Sequence, residues 1–265
     1  MVLFSKKMQK SNKKIIISII IPYYRKLSFL LSTIKSIQSQ SFKHYEVILV
    51  YDDKNHNEIE FVKKCLKLIK NNKIIINQNN LGAGFSRNKA INIAKGKYIA
   101  FCDADDVWKR NKLKDQLQYM KKNNYDFTHT NYQIIDENFK IKGGFKVKYK
   151  IFYKDLIRSC DVGLSSVICK KSLLKKNKFP NLKTKEDYAL WLKILKDKKI
   201  LYGLNKNLSY WRKTKNSLSS SIFQKLFDAF KLYHLYQNFS VIKSFYFTSR
   251  LTFYALIKKI NIYSH

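Results

Sequence analysis

Proline and glycine are scarce in this chain, two and seven among 265 residues, and acids number only 18 against 53 lysines and arginines. No internal repeat and no low-complexity linker is visible. The four cysteines, Cys65, Cys102, Cys160 and Cys169, lie far apart without a C-x-x-C pair, which argues against a zinc ribbon or a disulfide framework and for reduced thiols. The five histidines show no H-x-x-x-H ligand spacing, and no G-x-S-x-G nucleophile motif occurs. No apolar run approaches the roughly 18 residues needed to span a bilayer. Ile15–Ile21 resembles a short signal segment, but Pro22-Tyr23-Tyr24-Arg25 follows without a small-residue cleavage site, so a buried strand is expected in a cytoplasmic protein.

What is abundant is apolar and basic. Hydrophobic residues make up 45% and aromatics 15%, enough for a sizeable core and against global disorder. The net charge of +35 suits nucleic acid, anionic lipid or an anionic substrate as partner, although genome-driven use of Lys, Asn and Ile explains it equally well. The length fits one large domain with appendages.

Strand-like and helix-like segments alternate after a polar lead-in at residues 1–12. Ile15–Ile21, Val47–Val50, Ile74–Ile76 and Tyr98–Cys102 read as strands; Leu27–Gln40, Ile59–Ile69 and Gly84–Ala94 read as helices. Such β-α-β repetition predicts an α/β fold with a mainly parallel, doubly wound sheet, whose ligands bind beyond the carboxyl ends of the strands. Asp126–Ile135 and Val162–Cys169 read as further strands with a turn at Gly143-Gly144 between them. Glu186–Asp197 reads as a helix, and the chain from about Ile222 onward as wholly helical.

The fourth strand runs into Asp103-Ala104-Asp105-Asp106. Alternate residues of an extended chain share a side, so Asp103 and Asp105 can project together and hold a hard divalent cation, which in turn can hold a diphosphate. The competing role, Asp105 or Asp106 as N-cap of the helix over Lys112–Lys121, needs only one acid. Asn80-Leu81-Gly82-Ala83-Gly84-Phe85-Ser86-Arg87 lacks the third glycine of a dinucleotide fingerprint; its turn can still offer backbone N–H groups to an anion, with Arg87 pairing an acid or phosphate, or it can be a plain turn. Asp52 and Asp53 end the second strand, as turn formers or as acceptors for a nucleobase or ribose. Thr184-Lys185-Glu186-Asp187 fits a capping box with Thr184 as N-cap, while a carboxylate at that helix start can serve as a general base.

In this order the segments resemble a family 2 glycosyltransferase of bacterial surface-polysaccharide or lipopolysaccharide type, with the GT-A nucleotide-diphospho-sugar transferase fold over roughly Ile15 to Ser219. The matching segments are Ile20-Ile21-Pro22-Tyr23-Tyr24, Ser36-Ile37-Gln38-Ser39-Gln40-Ser41, Asp52-Asp53, Asn80 through Asn88, Gly96 through Asp106, Glu186-Asp187 before Trp191-Leu192, and Tyr210-Trp211-Arg212 with Ser217 and Ser219. Arg25 stands where Asn is commoner, and Tyr51-Asp52-Asp53-Lys54 replaces D-D-G-S.

The resemblance implies inverting transfer of a sugar from a nucleotide-diphospho-sugar, with UDP favoured, to a hydroxyl of a saccharide or lipid-linked saccharide acceptor. Transfer to a polyprenyl phosphate is the alternative within the fold; a basic nucleic-acid-binding protein is the rival outside it, without a recognisable binding motif. The implied donor-binding residues are Pro22, Tyr24, Asp52, Asp53, Arg87, Asp103 and Ala104. Asp105 with Asp103 would hold Mn²⁺ or Mg²⁺, and Asp187 would be the base with Glu186 beside it. The expected organisation is a catalytic domain over 13–219 and a basic, aromatic helical region over 220–265. Its Phe223, Phe227, Phe230, Tyr233, Phe245, Phe247 and Phe253 interleave with Lys and Arg, so that it either lies on an anionic membrane surface or packs on the domain or a second copy. A lipid-linked acceptor would make the protein peripheral on the inner face of a bacterial inner membrane.

Overall fold

The first seven elements alternate in the computed structural model, which describes residues 14–214 and 221–263, the last six of these by backbone only. They are β1 (Ile17–Tyr23), α1 (Leu27–Gln38), β2 (Tyr45–Tyr51), α2 (Ile59–Leu66), β3 (Asn72–Ile76), α3 (Ala83–Ile93) and β4 (Tyr98–Phe101). The lead-in at 1–12, the boundary between 219 and 220, and Ser217 and Ser219 lie outside the described residues. The four strands pair in parallel in the order β3-β2-β1-β4. β2 is buried at every position and β1 at all but Pro22, which accounts for their unbroken apolar runs: helices cover both faces. Ile17, Ile19, Ile21 and Tyr23 face a core with Leu30, Ile34 and Ile37 of α1, while Ile20 faces a second core with Ala90 and Ile91 of α3.

The second half holds β5 (Val107–Trp108), α4 (Lys112–Lys122), β6 (Phe127–Ile135), β7 (Ile141–Phe145), β8 (Lys150–Ile151), α5 (Tyr153–Leu156), a 3₁₀ turn (Leu164–Ser166), β9 (Ile168–Lys170), α6 (Lys171–Lys176), α7 (Glu186–Lys196) and β10 (Leu201–Arg212). The ten-stranded sheet runs β3-β2-β1-β4-β9-β6-β10-β5, with β7 on β6 and β8 on β10. Beyond β4 the ladders are antiparallel except for β6 with β10, so the parallel character belongs to the first half.

Several local expectations change here. Gly143 and Gly144 sit inside β7, opposite Ile134 and Gln133; the turn is at Asp136–Lys140, where Asp136 Oδ1 accepts the N–H groups of Asn138 and Lys140. The strand expected over Val162–Cys169 is broken by the 3₁₀ turn, because the Ser166 hydroxyl donates back to the Gly163 carbonyl at 2.6 Å. Neither Asp105 nor Asp106 caps α4, whose N-cap is Asn111.

The C-terminal region comprises α8 (Ile222–Lys231), a π-helical turn (Leu232–Tyr236) and α9 (Val241–Tyr263). Leu232 and Tyr233 are fully buried, and the Tyr233 hydroxyl donates to the Ile157 carbonyl at 3.1 Å and meets the Tyr188 hydroxyl of α7 at 3.2 Å. Phe239 and Phe247 pack around the Tyr233 ring. These aromatics dock the region onto the body, whereas Phe223, Phe227, Phe245 and Phe253 stay exposed.

Candidate active site

The carboxyl ends of β1, β2 and β4 converge with the start of α7 and the end of β10. At the centre is Arg87 on α3, 3% exposed, donating to Asp103 Oδ1 at 2.7 Å and to Glu186 Oε1 at 2.6 Å. Its guanidinium stacks 5.4 Å from the Phe179 ring, and Asn88 fixes that ring's backbone by accepting the Phe179 N–H and donating to its carbonyl. Arg87 therefore braces the acids and does not face a phosphate. Two glycines make the brace fit: Gly82 turns with φ 86°, open to glycine without strain, and a side chain on Gly84 would press within 3.2 Å of Glu186.

The three acids after β4 have three different partners. Asp103, a third exposed at its side chain, meets Arg87. Asp105 meets Lys26 Nζ at 2.7 Å, and Lys26 also donates to Thr214. Burial nevertheless pushes Asp105 above its usual range, and the charge of Asp103 adds to that. Asp106 is sealed in, accepting from the Ser165 hydroxyl at 2.5 Å and the Arg212 backbone N–H at 2.9 Å. Burial raises it well above the carboxylate range, reinforced by Asp105 and Asp103. Asp106 thus organises the loop and with Asp103 also borders the cavity described below, while Asp105 is partly buried against Lys26 and is not among that cavity's lining residues. Ala104 points into the core with its carbonyl taken by Thr33, so its side chain is turned away from the crevice.

The turn before α3 does bind an anion, but the anion is Asp52. Its carboxylate accepts the N–H groups of Leu81 and Gly82 and the Asn77 amide, each at 2.8 Å. With these bonds and 2% exposure, Asp52 ties β2 to the turn instead of facing a nucleobase. Asp53 is covered by Arg25 at 2.7 Å, a side chain largely open to water. Arg25 has φ 49°, the left-handed region that asparagine tolerates better, which explains the commoner residue there. Pro22 and Tyr24 are half-buried beside it, with Arg25 stacked 4.9 Å from the Tyr24 ring.

On the far side, α7 starts one residue later than the capping box predicts. Lys185, with φ 63°, precedes the helix, and Thr184 turns away to donate its N–H and hydroxyl to Asp228 of α8 at 2.8 and 2.9 Å. Glu186 is buried on Arg87, and burial raises it to about 7 against the pull of that cation. Asp187 holds the Tyr188 N–H at 2.7 Å and is raised above its usual range by burial. Asp187 and Asp103 line one cavity of about 430 Å³, together with Lys185, Lys213, Trp211, Tyr132 and, from α9, Leu251 and Tyr254.

Lys26, Ser165 and Arg212 escaped the motif reading as supports of the acid loop. Arg212 donates to the Asp105 carbonyl and to those of Asp136 and Glu137, between the Phe29 and Phe139 rings. Its place in Tyr210-Trp211-Arg212 was the one sequence signal for it.

Asp103 and Asp105 bring hard oxygen donors of the type a divalent cation takes, and each already meets a cationic side chain, Arg87 and Lys26. Among the described residues no group of three or more His, Cys, Asp or Glu is ready to hold a metal.

The family model for glycosyl transferase family 2 matches residues 18–182. Over 217 residues, 80% of this chain and 82% of the relative, the sequence is 36% identical to the UDP-Glc:alpha-D-GlcNAc-diphosphoundecaprenol beta-1,3-glucosyltransferase WfgD of Escherichia coli. Over 212 residues, 80% and 84% of the two chains, it is 30% identical to the putative teichuronic acid biosynthesis glycosyltransferase TuaG of Bacillus subtilis. Among solved structures, S. aureus TarS 1-349 with UDP-GlcNAc superposes with TM-score 0.67 at 20% identity, covering 86% of this chain and 69% of that one. The mannosyltransferase PcManGT of Pyrobaculum calidifontis, with GDP-Man and Mn²⁺, gives 0.67 at 13% identity, covering 89% and 70%.

Proposed function

The chain belongs to glycosyl transferase family 2 and has the GT-A fold, and from that premise we propose that it transfers a sugar from a UDP-sugar to a hydroxyl of a lipid-linked saccharide, with inversion, in bacterial surface-glycan synthesis. The activity named for the Escherichia coli relative and the UDP-GlcNAc held by TarS support this donor and acceptor class. The observation that carries the mechanism is the shared cavity: Asp103 and Asp187 both line the same space.

In this reading Asp187 takes the proton of the acceptor hydroxyl as its oxygen bonds to the anomeric carbon from the face opposite the nucleotide. The anomeric carbon–oxygen bond to the diphosphate breaks, and its electron pair leaves with UDP. The Tyr188 N–H holds the Asp187 carboxylate in place during the transfer. Arg87 fixes Asp103 and Glu186 relative to each other, so the donor wall and the base move as one body. Asp105 and Asp103 would hold Mn²⁺ or Mg²⁺, which neutralises charge on the departing diphosphate. Lys185 and Lys213 in the same cavity suit the diphosphate of a lipid-linked acceptor.

Asp187→Asn is the test. It is expected to retain donor affinity and to lose about 10²–10⁴-fold in transfer, the usual contribution of a general base. Labelled UDP-glucose with a GlcNAc-diphospholipid acceptor measures both, and ordinary turnover in the variant would remove Asp187 from the mechanism. No helix among the described residues is long and apolar enough to cross a membrane, so a lipid-linked acceptor calls for contact with the bilayer from its surface.

A further inference from the structure

α8 and α9 are packed inside out. In α9 the body-facing residues include Ser244 and Thr248, while Ile242, Phe245, Tyr246, Phe253 and Leu256 are exposed, Ile242 at 84%. In α8 the buried pair is Asp228 and Ala229, while Ile222, Phe223 and Phe227 are exposed, Phe223 at 86%. A helix meeting only protein and water turns its apolar stripe inward. Here the inward contacts are already made by Leu232, Tyr233, Phe239, Phe247 and Leu251, and a second apolar face has no partner among the described residues.

Charge names the partner. From Ser221 to Tyr263 the chain carries Lys225, Lys231, Lys243, Arg250, Lys258 and Lys259, against one acid, Asp228. That acid is 3% exposed and committed to Thr184. Lys231 lies 4.3 Å over the ring of the exposed Phe227, and Lys243 lies 4.1 Å over the Phe239 ring. A second copy of this chain would bring like charges together across a two-fold contact. An anionic bilayer takes the aromatic and aliphatic groups at its headgroup boundary and pairs its phosphates with the basic side chains.

We propose that the exposed face of α8 and α9 seats the enzyme on an anionic bilayer, and that α9 couples this seat to the acceptor pocket. The same helix that presents Ile242 and Phe253 outward supplies Leu251, Tyr254 and Ala255 to the cavity containing Asp187. A lipid-linked saccharide lying in the membrane therefore reaches the base along the helix that binds the membrane. The coupling rests on the lipid-linked acceptor proposed above; the seat does not.

The experiment compares the full chain with the triple variant F223E/I242E/F253E, whose changes lie outside the pocket and the core. Vesicles of phosphatidylcholine with one third phosphatidylglycerol are expected to co-sediment the parent chain. Pure phosphatidylcholine vesicles, or the variant, are expected to lower recovery by at least about tenfold. UDP binding and transfer to a water-soluble, short-chain acceptor should be unchanged in the variant, which also reports that it folds. Transfer to a long-chain acceptor in anionic vesicles should fall about as far as binding does. Equal recovery of parent and variant would overturn the seat, as would a dimer of the parent chain that the variant dissolves while no vesicle binding is seen. Equal losses on short- and long-chain acceptors would overturn the coupling. Vesicle binding intact with no transfer to any acceptor would refute the proposed function and leave the seat standing.

Discussion

The two walls of the crevice are built in different ways. The donor wall comes from the ends of parallel strands β1, β2 and β4, and its acids are each held by a cation, a hydroxyl or backbone N–H groups. The acceptor wall is assembled from β6, β10, α7 and α9, elements far apart in the chain, around Asp187, two lysines and several aromatic or aliphatic side chains. The donor wall is polar and continuous with the core; the acceptor wall ends in helices whose outer face meets none of the other described residues. On the proposed function, a charged cradle suits the constant, charged nucleoside diphosphate, and an exposed apolar face suits a lipid-linked sugar.

The comparison breaks most visibly at Arg87, which joins Asp103 on one wall to Glu186 on the other. Arg87→Met strands Asp103 and Glu186 without their cation. A stability loss of about 3–5 kcal/mol is expected, toward the lower end because Asp103 is partly open to water. Denaturant unfolding measures it, and an unchanged midpoint would mean the two walls are not braced through this residue.

A smaller effect is expected at Asp228, where the C-terminal helices hold the start of α7. Asp228→Ala leaves the Thr184 N–H and hydroxyl without their acceptor and should cost about 1–3 kcal/mol. Because this bond positions the turn before Asp187, kcat should fall while the Kd for UDP stays put. A matched loss in UDP affinity would show that the acceptor wall is not separable from the donor wall.

Acidity sharpens the same contrast. Asp187 must be ionised to accept a proton, and burial raises it, so transfer should decline as pH falls through a value above that of an ordinary aspartate. Asp187→Asn is expected to remove that decline from the residual transfer, and an unchanged profile in the variant would contradict the assignment. The smallest effect is expected for Arg25→Asn: relief of the left-handed backbone at φ 49° should offset the lost pair with Asp53 and leave the thermal midpoint where it was.

The donor wall was the more legible of the two in the sequence. Its strands are unbroken apolar runs whose ends carry the acids, so the place of Asp103 and Asp105 beyond β4 could be read from spacing, but not their separate partners, Arg87 and Lys26. Even there, spacing could not show that Asp52 turns inward to Leu81 and Gly82, a contact across about 30 positions of chain. The acceptor wall hid more. Thr184 reads as a helix cap until Asp228, 44 residues away, takes its hydrogen bonds. Gly143 and Gly144 read as a turn because glycine favours turns; in β7 Gly144 is needed because a side chain would stand 2.8 Å from the Tyr132 carbonyl. The aromatic C-terminal run supports two readings in sequence; the structure packs Tyr233 and Phe247 on the body and leaves Phe223 and Phe253 exposed.

The central claim is that Asp105, with Asp103, grips the donor while Asp187 acts on the acceptor alone. Calorimetric titration of UDP, with and without Mn²⁺, into the parent chain, Asp105→Asn and Asp187→Asn tests it most directly. The account expects metal-dependent binding in the parent and in Asp187→Asn, weakened at least about tenfold in Asp105→Asn. Binding that ignores the metal, or that fails equally in both variants, would contradict it.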